Sequence, residues 1–291
     1  MDRSKIALGT AQFGSNYGIS NCSGKVKETE AREILELGKK FGITTLDTAI
    51  AYGESEKVLG DIGCHGWDII TKIPEIPSDC GRLSEWISSE VQKSLERLKV
   101  DKLYGVLLHH PNQLLSSSGR SIHESLAFLK ERGYVEKIGV SIYSPEQLPK
   151  LIENYDLDIV QCPMNIFDTR MQDSGWLDRL RRDNIEIHVR SIFLQGLLLM
   201  KPAARPFKLA SYGKLWMSWD NWLQENNLSA LDACVNWISG VPELSRILIG
   251  VQSSEQLGQI LNISEEKLPN MPAWEDFLDY KLIDPTHWQI K

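Results

Sequence analysis

Ile43-Thr44-Thr45-Leu46-Asp47-Thr48-Ala49-Ile50-Ala51-Tyr52 is a short β-branched and apolar run that stops on a carboxylate and passes into a loop carrying a tyrosine. The same pattern recurs downstream. Trp67-Asp68-Ile69-Ile70-Thr71 closes on Lys72, and Leu103-Tyr104-Gly105-Val106-Leu107-Leu108 closes on His109. Apolar runs this short, lacking strict alternation, read as strands buried on both faces, and that is the signature of a parallel sheet. Scanned in the same way, the chain yields eight candidate strands at 5–11, 43–47, 67–73, 103–109, 137–143, 157–163, 185–191 and 246–251. Segments of helical period fall between them, at about 28–41, 54–61, 82–98, 120–132, 145–154, 173–183, 207–239 (broken) and 254–263. Eight strands alternating with helices predict an α/β chain folded as a single (β/α)8 TIM barrel.

Local punctuation agrees. Gly42 follows the periodic face of Ile34, Leu35 and Phe41 as a helix stop. Ser144-Pro145 reads as a cap and first helical residue, and Ser253-Ser254-Glu255-Gln256 as a capping box. No G-x-G-x-x-G and no P-loop occurs, so an open dinucleotide-binding sheet has no support. No linker interrupts residues 1–291. The segment at about 200–240, with Trp216, Trp219 and Trp222, reads as an elaborated loop and helices. The tail at about 268–291 is expected to pack back on the barrel.

The chain has 291 residues, a net charge of −7 and 5 cysteines. The acidic balance argues against nucleic-acid binding. Cys22, Cys64, Cys80, Cys162 and Cys234 form no C-x-x-C pair and show no zinc spacing, so they read as reduced thiols of a cytoplasmic protein. The N-terminus has no signal-peptide core, and the most apolar stretch, Ile192 to Met200, is broken by Gln195 and too short to span a membrane. Nothing sets an oligomeric state.

In a parallel barrel the strand C-termini carry the chemistry. Asp47, Lys72 and His109 all end strands, and Tyr52 follows the first of them. Each alone has an ordinary reading as a turn, packing or solvated residue; those readings leave their joint placement unexplained. A tyrosine with a pKa of ~10 is a poor acid at neutral pH. A neighbouring ammonium is expected to lower that value, a carboxylate to hold the ammonium, and a histidine to orient a carbonyl oxygen. The roles follow: Tyr52 acid, Lys72 tuner, Asp47 anchor of Lys72, His109 orienter. Reducing a carbonyl also needs a hydride, which implies a nicotinamide cofactor. A metal-dependent lyase or hydrolase is disfavoured, because His109 and His110 are adjacent and diverge along a strand.

The stretch Asp47-Thr48-Ala49-Ile50-Ala51-Tyr52-Gly53-Glu54-Ser55-Glu56-Lys57-Val58-Leu59-Gly60 resembles the aldo-keto reductase signature. Leu8-Gly9-Thr10, Thr71-Lys72, Leu107-Leu108-His109-His110-Pro111, Lys137-Ile138-Gly139-Val140-Ser141, Gln161 with Asn165, and Ile249-Gly250 with Ser253 to Leu257 resemble further segments of that family, in order. The resemblance implies a (β/α)8 barrel that binds NADP(H) in extended form, with NAD(H) left open. It implies reduction of an aldehyde or ketone, with no metal. By position, Asp47, Tyr52, Lys72 and His109 are the catalytic set. Gly9, Thr10 and Asp47 face the cofactor, Ser141 and Gln161 hold its carboxamide, Ser191 and Phe193 to Gly196 follow the pyrophosphate, and Gly250, Ser253 and Gln256 meet the adenosine end.

Three departures stand out. Ile142 replaces the usual asparagine, Arg190 replaces the aromatic residue under the nicotinamide, and Gly250 and Gln256 stand where basic residues often meet a 2′-phosphate. Phe13, Tyr17 and His110 are expected at the substrate mouth. Val189 to Leu198 resembles a bacterial subgroup, some of whose members look linked to sugar metabolism, so the expected partner is a small carbonyl compound or sugar. The alternative is a catalytically slow barrel that binds the nucleotide as a regulatory or redox-sensing module.

Overall fold

The computed structural model describes residues 2–274 and 278–288. Eight parallel strands close on themselves: β1 (Ile6–Gly9), β2 (Thr45–Asp47), β3 (Asp68–Ile73), β4 (Leu103–Leu108), β5 (Val135–Ser141), β6 (Ile159–Pro163), β7 (Glu186–Arg190) and β8 (Arg246–Gly250). Closure is made by β1 against β8, from Ile6 opposite Ile247 to Gly9 opposite Gly250. Each strand falls on its expected segment except β5, which starts two residues early. The amide of Leu103 donates to Tyr134 O and Leu103 pairs with Val135, which draws that segment into the sheet.

The helices obey the local chemistry. Gly42, at φ +79°, ends the helix Glu28–Lys40. Ser144 and Gln147 form a capping box over a 3-10 turn at Pro145–Gln147, and the helix Leu148–Asn154 follows. The expected helix at 173–183 is split into Arg170–Asp173 and Trp176–Arg182 by Gly175 at φ +73°. The broken region resolves into Phe207–Ala210, Gly213–Glu225 and Ala230–Ser239; the Ser229 hydroxyl caps the last of these by accepting from the Asp232 amide.

Inside the barrel, Ile70, Leu107 and Ile159 form a small apolar layer. Gly139 makes room for it: a Cβ there would sit 2.0 Å from Ile159 O and 2.9 Å from a Leu107 methyl. The Trp-rich segment is core. Trp216, Trp219 and Trp222 are buried with Phe167 and Trp274, their rings 5.1–5.9 Å apart in mostly edge-on contacts. Trp274, Leu282 and Ile283 of the tail are buried in the same cluster, so the tail does pack back; its residues 275–277 and 289–291, like Met1, lie outside the described ones. Among the described residues no helix is long and apolar enough to cross a membrane.

Candidate active site

Asp47 and Lys72 meet at the C-terminal end of the barrel because β2 and β3 are adjacent and both residues sit at strand ends. Lys72 Nζ donates to Asp47 Oδ1 at 2.5 Å and to Thr48 O at 2.9 Å, and its side chain is fully buried. Asp47 Oδ2 accepts from Gln161 Nε2 at 2.8 Å. Gln161 Oε1 in turn accepts from the Ser141 hydroxyl at 3.3 Å. Behind this group, Thr10 Oγ1 donates to Asp47 O, and the Ser55 hydroxyl donates to Thr10 O.

Tyr52 is placed by close backbone packing. Its loop presses on the turn Ala11–Gly14, where a Cβ on Gly14 would lie 1.6 Å from Tyr52 O. Gly53, at φ +57°, carries the chain onward into the helix Ser55–Ile62. The Tyr52 ring lies 5.2 Å from Lys72 Nζ and edge-on to His109, with ring centroids 5.9 Å apart. The hydroxyl of Tyr52 has no hydrogen-bond partner among the described residues, and the His109 ring has none either. The four residues expected to act together are therefore brought together.

One electrostatic expectation is corrected. Lys72 was expected to lower the Tyr52 pKa, yet the phenol is raised, first by burial and then by the Asp47 carboxylate. The Lys72 charge is itself neutralised at contact distance by Asp47, so little of it reaches the phenol. Burial lowers the Lys72 pKa against the pull of Asp47. Burial, with the Lys72 and Arg190 charges, pushes His109 down to about 3, so its imidazole is neutral at physiological pH.

A cleft of about 500 Å³ opens beside Asp47 and Tyr52. Gly9, Thr10, Tyr17, Gln161, Arg190, Ser191, Phe193, Gly196, Gly250 and Gln256 all line it, as expected of them. Ser141 and Ser253 stand behind the lining: Ser141 on Gln161, and Ser253 as the cap of the helix Ser254–Leu261. One expectation about the mouth fails: Phe13 is buried in the core, because the turn Ala11–Gly14 points it inward. His110 is exposed with its ring 6.0 Å from that of His109, and like His109 it is not among the residues lining this cleft. Residues not singled out from the sequence complete the wall: Gln12, whose amide lies against Gly250, Ser20, against Gly196, and Gln252 and Gln259.

Strained backbone borders the cleft. The turn after β7 runs through Ser191, Leu194, Gln195 and Gly196, all at positive φ, and three of these are not glycine. Such backbone costs about 1 kcal/mol or more per residue and gathers at ligand clamps. The turn is held against the β1 loop: a Cβ on Gly196 would fall 1.9 Å from Ser20 Oγ. At the far end, the capped start of Ser254–Leu261 is already engaged. Glu30 Oε1 accepts from the Ser254 amide at 2.6 Å and from its hydroxyl at 3.0 Å.

A model of the aldo/keto reductase family matches residues 5–273. The chain belongs to this family. Aldo-keto reductase YhdN of Bacillus subtilis (strain 168) is 29% identical over 188 residues, covering 60% of this chain and 54% of its own. An aldo-keto reductase of Gibberella moniliformis is 30% identical over 195 residues, covering 62% and 58%. This aldo-keto reductase thus spans little more than half the length of those curated relatives. The holo structure of aldo-keto reductase AKR11C1 from Bacillus halodurans superposes with a TM-score of 0.70 at 18% identity, over 91% of this chain and 88% of that one, and shares its fold.

Proposed function

We propose that this aldo-keto reductase is an NAD(P)H-dependent oxidoreductase that reduces an aldehyde or ketone to an alcohol, with Tyr52 as the proton donor. The observation that carries the reading is the unpartnered Tyr52 hydroxyl. It faces a cleft beside a fully buried Lys72–Asp47 pair and a neutral His109. The bound nicotinamide would supply the hydride. Gln161, backed by Ser141, would hold its carboxamide, and the turn Ser191 to Gly196 its phosphates.

The chain's own residues handle the proton. A neutral His109 donates one ring N–H to the carbonyl oxygen and fixes it near Tyr52. As negative charge develops on that oxygen, its basicity overtakes that of the phenolate, and Tyr52 transfers its proton despite a raised pKa. The phenolate left behind lies in the field of the uncompensated Arg190 guanidinium, which acts to lower the Tyr52 pKa, while the Lys72–Asp47 pair 5.2 Å from the ring stays close to neutral. Asp47 and Thr48 O hold the Lys72 ammonium charged in a fully buried place. The ground for a sugar-like carbonyl substrate is the resemblance of Val189 to Leu198 to a bacterial subgroup. Among the described residues no basic side chain lines the cleft beside Gly250 and Gln256, and Glu30 occupies the Ser254 amide, so these residues give a 2′-phosphate no Coulombic advantage.

Tryptophan-fluorescence titration with NADPH and NADH, followed by single-turnover reduction of a simple aldose and a simple aldehyde, tests the reading. Saturable binding, with NADH held at least as tightly as NADPH, and oxidation of the bound nicotinamide on carbonyl addition are expected. No binding of either would remove the nicotinamide reading. Tight binding with negligible turnover would favour a slow regulatory barrel, a reading that the raised Tyr52 pKa supports.

A further inference from the structure

The charged side chains that line the cleft, among the described residues, are Asp47 and Arg190. Asp47 is cancelled at contact distance by Lys72. Arg190 is not cancelled: no described carboxylate pairs with it. Its guanidinium donates to Ile142 O at 3.0 Å and to Ser191 Oγ at 3.3 Å, and packs over the Tyr143 ring at 4.9 Å. These contacts fix its position while leaving its charge intact, and they commit two of the guanidinium's five N–H donors. The charge sits at the reacting end of the cleft. Its field acts on Tyr17, Tyr52, Lys72 and His109, the groups around the proton donor. The reacting end therefore carries one net positive charge in a half-buried, poorly screened place.

A nicotinamide ring delivered to Tyr52 must lie in this field, whichever face it presents. The reduced ring is neutral and the oxidised ring carries one positive charge, while the phosphates and adenosine are the same in both. We infer that Arg190 sets the redox preference of the cleft: it repels the oxidised nicotinamide, so the protein holds the reduced cofactor more tightly and is poised for carbonyl reduction rather than alcohol oxidation. This deepens the function proposed above and rests on the nicotinamide reading of the cleft. The effect is purely Coulombic. Like charges several ångströms apart at an effective dielectric near 20 shift an equilibrium by about 10- to 100-fold.

The test is a binding measurement and needs no turnover. Dissociation constants of NADH and NAD+, and of NADPH and NADP+, are measured by tryptophan fluorescence and calorimetry for the wild type, Arg190→Gln and Arg190→Lys. The wild type is expected to bind the reduced form of each pair more tightly. Arg190→Gln should bring the oxidised-to-reduced ratio down by about tenfold or more, whereas Arg190→Lys, which keeps the charge, should retain most of it. A phosphate-binding role for Arg190 gives a different result: both forms weaken equally and the ratio stays, which overturns the proposal. A wild type that binds oxidised and reduced forms alike overturns it too. Failure of the wild type to bind any of the four removes the nicotinamide reading together with this inference. Should Arg190→Gln fold poorly, the ratio in Arg190→Lys against Arg190→Met decides the same question.

Discussion

The barrel carries a carboxylate, a lysine, a tyrosine and a histidine at both of its ends. At the C-terminal end they are Asp47, Lys72, Tyr52 and His109. At the N-terminal end they are Glu186, Lys137, Tyr104 and His188. In the lower group the Tyr104 hydroxyl donates to Glu186 Oε1 at 2.7 Å and accepts from Lys137 Nζ at 2.8 Å. His188 Nε2 lies 3.0 Å from Glu186 Oε2. Tyr104, Lys137, Glu186 and His188 Nε2 are spent on one another, His188 Nδ1 is buried without a partner, and none of the four lines the cleft. In the upper group the Lys72 ammonium is consumed by Asp47 and Thr48 O, while the Tyr52 hydroxyl and the His109 ring are left for something else. Chemical class does not distinguish the two ends. Unspent hydrogen-bonding capacity facing an open volume does, because a buried polar group without a partner is costly unless a ligand or water supplies one.

The comparison breaks most sharply at the two tyrosines. Tyr52→Phe should lower the single-turnover rate of carbonyl reduction by about 10²- to 10⁴-fold with cofactor binding retained, the usual weight of a general acid. Tyr104→Phe should leave that rate within a few-fold. Equal losses in stopped-flow traces would erase the distinction between the ends.

The lysines give the next largest effect. Lys72→Met leaves a buried Asp47 carboxylate uncompensated, which should cost about 3–5 kcal/mol in urea unfolding. The Lys137 side chain is 30% exposed, so water can replace it at Glu186, and Lys137→Met should cost about 1 kcal/mol. A smaller loss in the Lys72 variant than in the Lys137 variant would contradict the burial argument.

Acid provides the smallest contrast. His109 is depressed to about 3 when folded, against an ordinary value near 6.5. Between these values the unfolded chain binds a proton that the folded one refuses, so stability falls as pH drops from about 6.5 toward 3. His188 is lowered too and acts in the same direction. Glu186, held near 2 chiefly by His188 and Lys137 against the penalty of burial, keeps its contribution until pH falls below about 4.5. Comparing urea midpoints at pH 8 and pH 5, His109→Gln should recover up to about 2 kcal/mol of the acid loss. No recovery would place the acid sensitivity at His188 alone.

Much of this molecule was legible in its residues. Eight continuously apolar runs separated by helical periods carry the barrel, because strands covered on both faces have no polar side to show. The placement of Asp47, Lys72 and His109 at strand ends follows from the same reading, since strand order in a parallel barrel repeats chain order. What the sequence left undecided depends on the third dimension. Phe13 and Tyr17 are both aromatic residues after β1, yet a single helical turn buries the first and leaves the second on the cleft. Whether Lys72 activates Tyr52 or is neutralised by Asp47 is a matter of ångströms between side chains, and spacing along the chain does not encode it. Glu30, more than two hundred residues before Ser254, reaches the start of its helix only because β1 closes on β8. The sequence determined which groups stand at the rim of the barrel; packing decided which of them pair off and which remain free to act.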